Sequence, residues 1–203
     1  MQKVLKRIID IIISGISLLI LAPILGIISV CVWQQLGRPI FFKQQRVGLH
    51  DKVFEMYKFR TMLPKVTAAG VSLTKEQRLT KFGRFLRSTS LDELPELWNI
   101  FKGDMSLVGP RPLLVDYLPL YSPRQRRRHE MRPGLTGLAQ VKGRNHVDWP
   151  TKFEYDVTYI ETFSLKQDVQ IILKTGLSVL KREGIETQEG TFQKRFTGNT
   201  DGE

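Results

Sequence analysis

Ile11-Ile12-Ile13-Ser14-Gly15-Ile16-Ser17-Leu18-Leu19-Ile20-Leu21-Ala22-Pro23-Ile24-Leu25-Gly26-Ile27-Ile28-Ser29-Val30-Cys31-Val32-Trp33 contains no charged residue. As a helix rising about 1.5 Å per residue, it would reach roughly 34 Å, enough to cross the hydrocarbon core of a bilayer. Lys3, Lys6 and Arg7 before it resemble the basic start of a signal peptide. The run is long for one, however, and no small-x-small cleavage site follows. Pro23 lacks the N–H that the helix ladder needs and crowds the preceding turn, so it predicts a bend or break. Basic residues flank both ends, with Arg38, Lys43 and Arg46 on the far side. Basic residues collect on the cytoplasmic side, so two basic flanks favour a re-entrant segment that dips in and returns. A Pro-kinked single span is the alternative.

Outward from this segment, Gly37-Arg38-Pro39 breaks the chain. Ile40–Val47 and Lys52–Met62 then read as two strands joined through Gly48-Leu49-His50-Asp51, a β-hairpin. Thr67–Leu73 reads as a loop. Lys75–Arg87 carries Leu79, Phe82 and Leu86 at helical spacing, and Leu94–Phe101 reads as a helix stopped by Gly103. Ser122-Pro123 starts a basic helical stretch. Ser164 and Gln167 form a capping-box pattern before Leu165, Val169, Ile172, Leu173, Leu177 and Leu180. The expected organisation is a membrane-anchoring segment over 1–36, a catalytic domain over 37–184 and a loose polar tail over 185–203. The fold class is α+β and mostly helical, with a small hairpin and amphipathic interfacial helices around the site.

The chain has 203 residues and a net charge of +11, which favours an anionic partner: nucleic acid, an acidic membrane face or a phosphorylated substrate. A single cysteine, Cys31, excludes an internal disulfide framework and a cysteine-based zinc site. His50, His129 and His146 have no ligand spacing. The run Arg124-Gln125-Arg126-Arg127-Arg128-His129 reads either as a solvated helix face or as a binder of nucleic acid or anionic lipid. The run has no interleaved aromatics, which counts against single-strand binding.

The most informative stretch for chemistry is Arg87-Ser88-Thr89-Ser90-Leu91-Asp92-Glu93-Leu94-Pro95. Ser90 and Glu93 match a capping box, so the acids have a structural reading. Pro95 argues against it, because a helix capped at Ser90 would need an N–H there. On spacing alone the two readings balance. Adjacent acids can divide labour: one carboxylate attacks phosphorus while the other binds Mg²⁺ beside substrate phosphates. Arg111, between two prolines, and Arg144, in Gly143-Arg144-Asn145, are candidate phosphate ligands.

These segments occur in a characteristic order. A basic apolar start is followed by Tyr57-Lys58-Phe59-Arg60-Thr61-Met62, the Arg87–Pro95 stretch and Leu97-Trp98-Asn99. Then come Lys102-Gly103-Asp104-Met105-Ser106-Leu107-Val108-Gly109-Pro110-Arg111-Pro112, Arg132-Pro133-Gly134-Leu135-Thr136-Gly137 and Gly143-Arg144-Asn145. From about residue 3 to residue 184 this order resembles the bacterial sugar transferases, the small monotopic polyprenyl-phosphate phosphoglycosyl transferases. The resemblance implies a UDP-sugar donor, an undecaprenyl phosphate acceptor and a ping-pong route on the cytoplasmic face of the bacterial inner membrane. Asp92 would take the sugar phosphate and release UMP, and Glu93 would hold Mg²⁺. Arg87, Arg111, Arg144 and Lys58 would contact phosphates or nucleotide. Asp156 matches a further recurrent acid and is placed with this substrate-binding set, with no assigned step. The resemblance also implies membrane lipids and downstream glycosyltransferases as partners, but not nucleic acid. It implies a membrane helix broken at Ser-Pro; here Ala22 precedes Pro23. The competing classes are a membrane-anchored basic binding protein and an inactive scaffold of the same fold.

Overall fold

The computed structural model describes residues 1–66, 70–143, 147–180 and 195–199. Helix α1, Gln2–Leu36, leads into the hairpin β1 (Phe41–Val47) and β2 (Val53–Phe59). Short α2 (Lys75–Arg78), α3 (Lys81–Ser88), a 3-10 turn (Leu91–Glu93) and α4 (Glu96–Lys102) follow. Then come β3 (Ser106–Val108), α5 (Pro123–Arg126), β4 (Gly134–Thr136), α6 (Leu138–Lys142), α7 (Trp149–Glu161) and α8 (Leu165–Leu180). β1 and β2 pair antiparallel with Val47 opposite Val53, while β3 and β4 form a separate parallel pair.

α1 is one uninterrupted helix through Pro23, so the expected break does not appear as a gap in the helix. Its buried stripe is Lys6, Asp10, Ser14, Ile28, Val32 and Leu36. Leu18, Leu21 and Leu25 fill the middle of that stripe against the domain. This three-to-four spacing is one helix face docked along its length. The opposite faces leave Ile12, Ile16, Leu19, Ile20, Ile27 and Trp33 exposed. Both ends are tied to the same body. Lys6 Nζ lies 2.6 Å from Asp168 Oδ2 on α8, and the Arg60 guanidinium donates to the Leu36 carbonyl. The helix passes the test of length and apolarity for crossing a membrane.

The core is assembled around the hairpin. Ile28, Val32 and Leu36 pack on Phe59 and Leu86, and Phe54 and Met56 pack on Leu97, Ile100 and Met105. Asn99, fully buried, fixes α4 to β2: it accepts from Tyr57 N (3.1 Å) and donates to the Glu55 carbonyl (2.7 Å). Two of the sequence segments cross backbone to backbone. Gly109 N donates to Thr136 O and Gly134 N to Pro110 O, both at 2.9 Å. A Cβ on Gly109, Gly134 or Gly137 would fall 2.1–2.3 Å from the facing backbone, so only glycine permits the crossing.

Several expectations change. The helix expected over Lys75–Arg87 is split, because Leu79 bridges Met62 and Thr80 caps a new start by accepting from Gly83 N. The hairpin's second strand stops at Phe59, short of Met62. At Ser164 only half of the capping box forms: its hydroxyl accepts from Gln167 N, while Gln167 Nε2 goes to Thr162 Oγ1. The tail is not loose at 195–199. Phe196 is buried among Tyr117, Tyr121, Trp149 and Phe153, and Asn199 Oδ1 accepts from Gln125 Nε2 at 2.7 Å. Ring contacts of this kind offset the ordering of a terminal segment.

Candidate active site

The acids sit where the chain cannot continue a helix. Ser90 is left-handed (φ 55°) and makes no capping bond, so the Ser90–Glu93 capping box is not formed. Only a 3-10 turn spans Leu91–Glu93, and Pro95 precedes α4 as its cap. Glu93 turns instead towards the hairpin. Its Oε1 lies 2.5 Å from Lys58 Nζ on β2 and 3.4 Å from Arg111. Lys58 Nζ is also 3.2 Å from Glu96 Oε1. Glu96 was not singled out in the sequence, although it lies three residues beyond Glu93, one turn along a helix.

This arrangement drives neighbouring carboxyls apart. Burial and then the Glu93 charge push Asp92 up to about 6. Burial works the same way on Glu93, but Lys58 and Arg111 outweigh it and pull that group down to about 2. Glu96, buried and beside Glu93, rises to about 7 despite Lys58. Burial alone would lower Lys58, yet Glu93 and Glu96 raise it. Glu93 is thus held towards its anionic form and Asp92 is raised towards neutrality, the separation expected of acids with different tasks.

The other expected residues fall around one groove of about 690 Å³. It is lined by Arg46, Lys58, Arg60, Arg78, Arg87, Arg111, Arg128 and Lys152 against Asp92, Glu93 and Asp156, an excess of cations suited to a phosphorylated ligand. Arg87 is held by Nε on Thr61 Oγ1 at 3.0 Å. Its terminal nitrogens make no bond among the described residues. Asp156 is deeply buried. Its Oδ2 takes Nε (3.0 Å) and a terminal nitrogen (2.7 Å) of Arg128, whose guanidinium also donates to the Arg111 carbonyl at 2.8 Å. Asp156 therefore bears on the site through Arg128, as a support for the loop that presents Arg111. Arg144 lies outside the described residues.

The donor set fits a Mg²⁺ ion. Among the described residues no three His, Cys, Asp or Glu side chains are grouped so as to hold a metal ion by themselves. Mg²⁺ needs only one or two carboxylates when substrate phosphates and water complete its shell. Both protein contacts to Glu93 fall on Oε1, and Oε2 receives none among the described residues. The basic run 124–128 has a different surrounding. Arg124 pairs with Glu154, Arg126 with Asp51, Arg127 with Glu130 and Glu161, and Arg128 with Asp156. Its charge is answered within the fold, which weakens the reading of a phosphate-binding basic strip.

Comparison with known proteins agrees with the order of segments. Residues 1–182 match the family model described as bacterial sugar transferase. An uncharacterized sugar transferase, EpsL, of Bacillus subtilis is 48% identical over 98% of both chains. The undecaprenyl-phosphate galactose phosphotransferase of Salmonella typhimurium is 40% identical over 90% of this chain, which spans 42% of that longer protein. The UDP-glucose:undecaprenyl-phosphate glucose-1-phosphate transferase of Klebsiella pneumoniae is 41% identical over 86% of this chain and 40% of its own length. A family match over residues 1–182, with the two acids gathered at one basic groove, makes this chain a transferase and a member of the bacterial sugar transferase family.

Proposed function

We propose that the protein transfers a sugar phosphate from a UDP-sugar to undecaprenyl phosphate, starting glycoconjugate assembly at the cytoplasmic face of the inner membrane. The observation that carries this reading is the split pair: Asp92, raised towards neutrality, beside Glu93, held towards its anionic form by Lys58 and Arg111. The names of the Salmonella and Klebsiella relatives support the substrate classes. In the first half-reaction an Asp92 oxygen bonds to the sugar-linked phosphorus. The bond from that phosphorus to the bridging oxygen breaks, and UMP leaves. In the second, an ionised oxygen of the lipid phosphate bonds to the same phosphorus and the Asp92–phosphorus bond breaks, giving the polyprenyl-diphosphate sugar. Glu93 would hold Mg²⁺, which supplies charge neutralisation at the transferring phosphoryl group when bound. Arg87 and Arg111 would bind the donor's phosphates.

For the membrane helix we propose a re-entrant mode. A 35-residue helix extends about 52 Å, yet its first and last turns are tied to one domain while its outer faces stay apolar. Basic flanks on both sides and a proline in the middle support a segment that enters one leaflet and returns. The test of the chemistry is a donor panel with UMP detection in detergent, followed by mass spectrometry for a phosphosugar on Asp92. UMP release at the wild-type rate by Asp92→Asn would sink the nucleophile assignment.

A further inference from the structure

α8 carries an exposed apolar face that reaches the groove. Val169, Ile172, Leu173, Leu177 and Val179 are all exposed on it. α1 carries even more exposed apolar surface, yet none of its residues lines the groove, whereas Thr175, Ser178 and Val179 of α8 do. Val179 belongs to both sets, exposed and groove-lining. On a helix turning about 100° per residue, positions 175, 179, 172 and 176 follow one another within about 100° of its circumference. The path therefore runs from the groove edge at Thr175, over Val179, to Ile172 and Gly176 and on to Leu173. At Gly176 an added Cβ would meet no atom within 4 Å, so the surface there is open. The groove end of this path is polar: the Thr175 and Thr136 hydroxyls lie 2.7 Å apart. Beyond it lie the groove's lysines and arginines and Asp92.

A molecule suited to such a path is apolar along its length and anionic at one end. We propose that the C-terminal half of α8 is the acceptor's entry lane. A polyprenyl phosphate lays its isoprenoid chain over Gly176 between Ile172, Leu173 and Val179. Its phosphate passes Thr175 and Ser178 into the basic groove towards Asp92. The inference rests on the transferase reading above and adds the side from which the lipid arrives.

The full-length protein in nanodiscs is assayed in two halves: the UMP burst with donor alone, then transfer to undecaprenyl phosphate. Gly176→Leu places a side chain across the lane, and its Cβ meets no atom of the described residues within 4 Å. The expected result is an unchanged burst and unfolding temperature, with the KM for undecaprenyl phosphate raised about tenfold or more. Gly26→Leu is the control. It likewise meets nothing within 4 Å, but it lies on α1, away from the groove, and should leave the acceptor KM unchanged. If Gly176→Leu lowers the unfolding temperature, Leu173→Glu, exposed on the outer part of the lane and away from the groove lining, carries the same test. An unchanged acceptor KM in the lane variant, or an equal rise in Gly26→Leu, overturns the lane. Absence of a UMP burst in the wild type instead overturns the transferase reading itself.

Discussion

Two of the buried charge clusters among the described residues are built differently. In the first, Lys6 of α1 meets Asp168, whose Oδ1 also accepts from Tyr159 at 2.7 Å. Next to it Asp10 accepts from Ser106 Oγ at 2.7 Å and Leu107 N at 3.1 Å. Every carboxylate oxygen there has a donor. In the second, at the groove, three carboxyls crowd around Lys58 and Arg111. Glu96 Oε1 lies near Lys58 without a hydrogen bond, and Glu93 uses one oxygen only. Buried polar groups are normally fully paired. A cluster whose oxygens are all answered is a fastening, while one that leaves oxygens to spare is arranged for something that arrives from outside.

The largest effect should come from breaking the second cluster at its reactive member. Asp92→Asn preserves shape but removes the proposed nucleophile. Single-turnover UMP release should fall by about a thousandfold or more, with the unfolding temperature retained. The fastening should respond in the opposite way. Lys6→Met strands Asp168 and should cost about 3 kcal/mol of stability or more, whereas Lys6→Met with Asp168→Leu should recover much of that loss. Denaturant unfolding in detergent measures both; equal losses in the single and double variants would contradict a paired origin.

Glu93→Gln sharpens the comparison through pH. On the proposed mechanism the carboxylate form of Asp92 attacks, so UMP release should rise with pH through a midpoint near 6 and level off above it. Below the midpoint it should drop about tenfold per unit. Removing the Glu93 charge removes one of the two causes that raise Asp92, so the midpoint should move down; an upward move would refute the coupling. The smallest effects concern the turn. Ser90→Gly relieves a left-handed residue and should be neutral or gain up to about 1 kcal/mol. Thr80→Ala, which removes a true cap, should lose about 1 kcal/mol.

Much of this was legible in the sequence because it depends on local chemistry. The hairpin around Gly48–Asp51, the stop at Gly103 and the Ser122 cap are each set by residues close in the chain. The two acids were legible as a pair, but their partition was not, since Lys58 reaches Glu93 across 35 positions. Glu96 escaped although it stands three residues beyond Glu93, because only folding brings it to Lys58. α7 was overlooked although its start carries a signal, Asp148 capping Thr151 N with Pro150 in the first turn. The parallel pair β3–β4, three residues each, has no periodicity to read. Phe196 looked like part of a polar tail because its aromatic partners lie more than 40 positions upstream.

The Lys6–Asp168 contact spans 162 residues of chain. At a synthesis rate of roughly 5–20 residues per second, about 8–32 s separate the appearance of the lysine from that of its partner. During that interval α1 has left the ribosome while its charge, and the Asp10 carboxylate that waits for Ser106, are uncompensated. Seating the helix is therefore among the last acts of biogenesis. A nascent chain stalled before residue 168 should hold α1 in a looser, protease-accessible attachment that tightens only when α8 emerges.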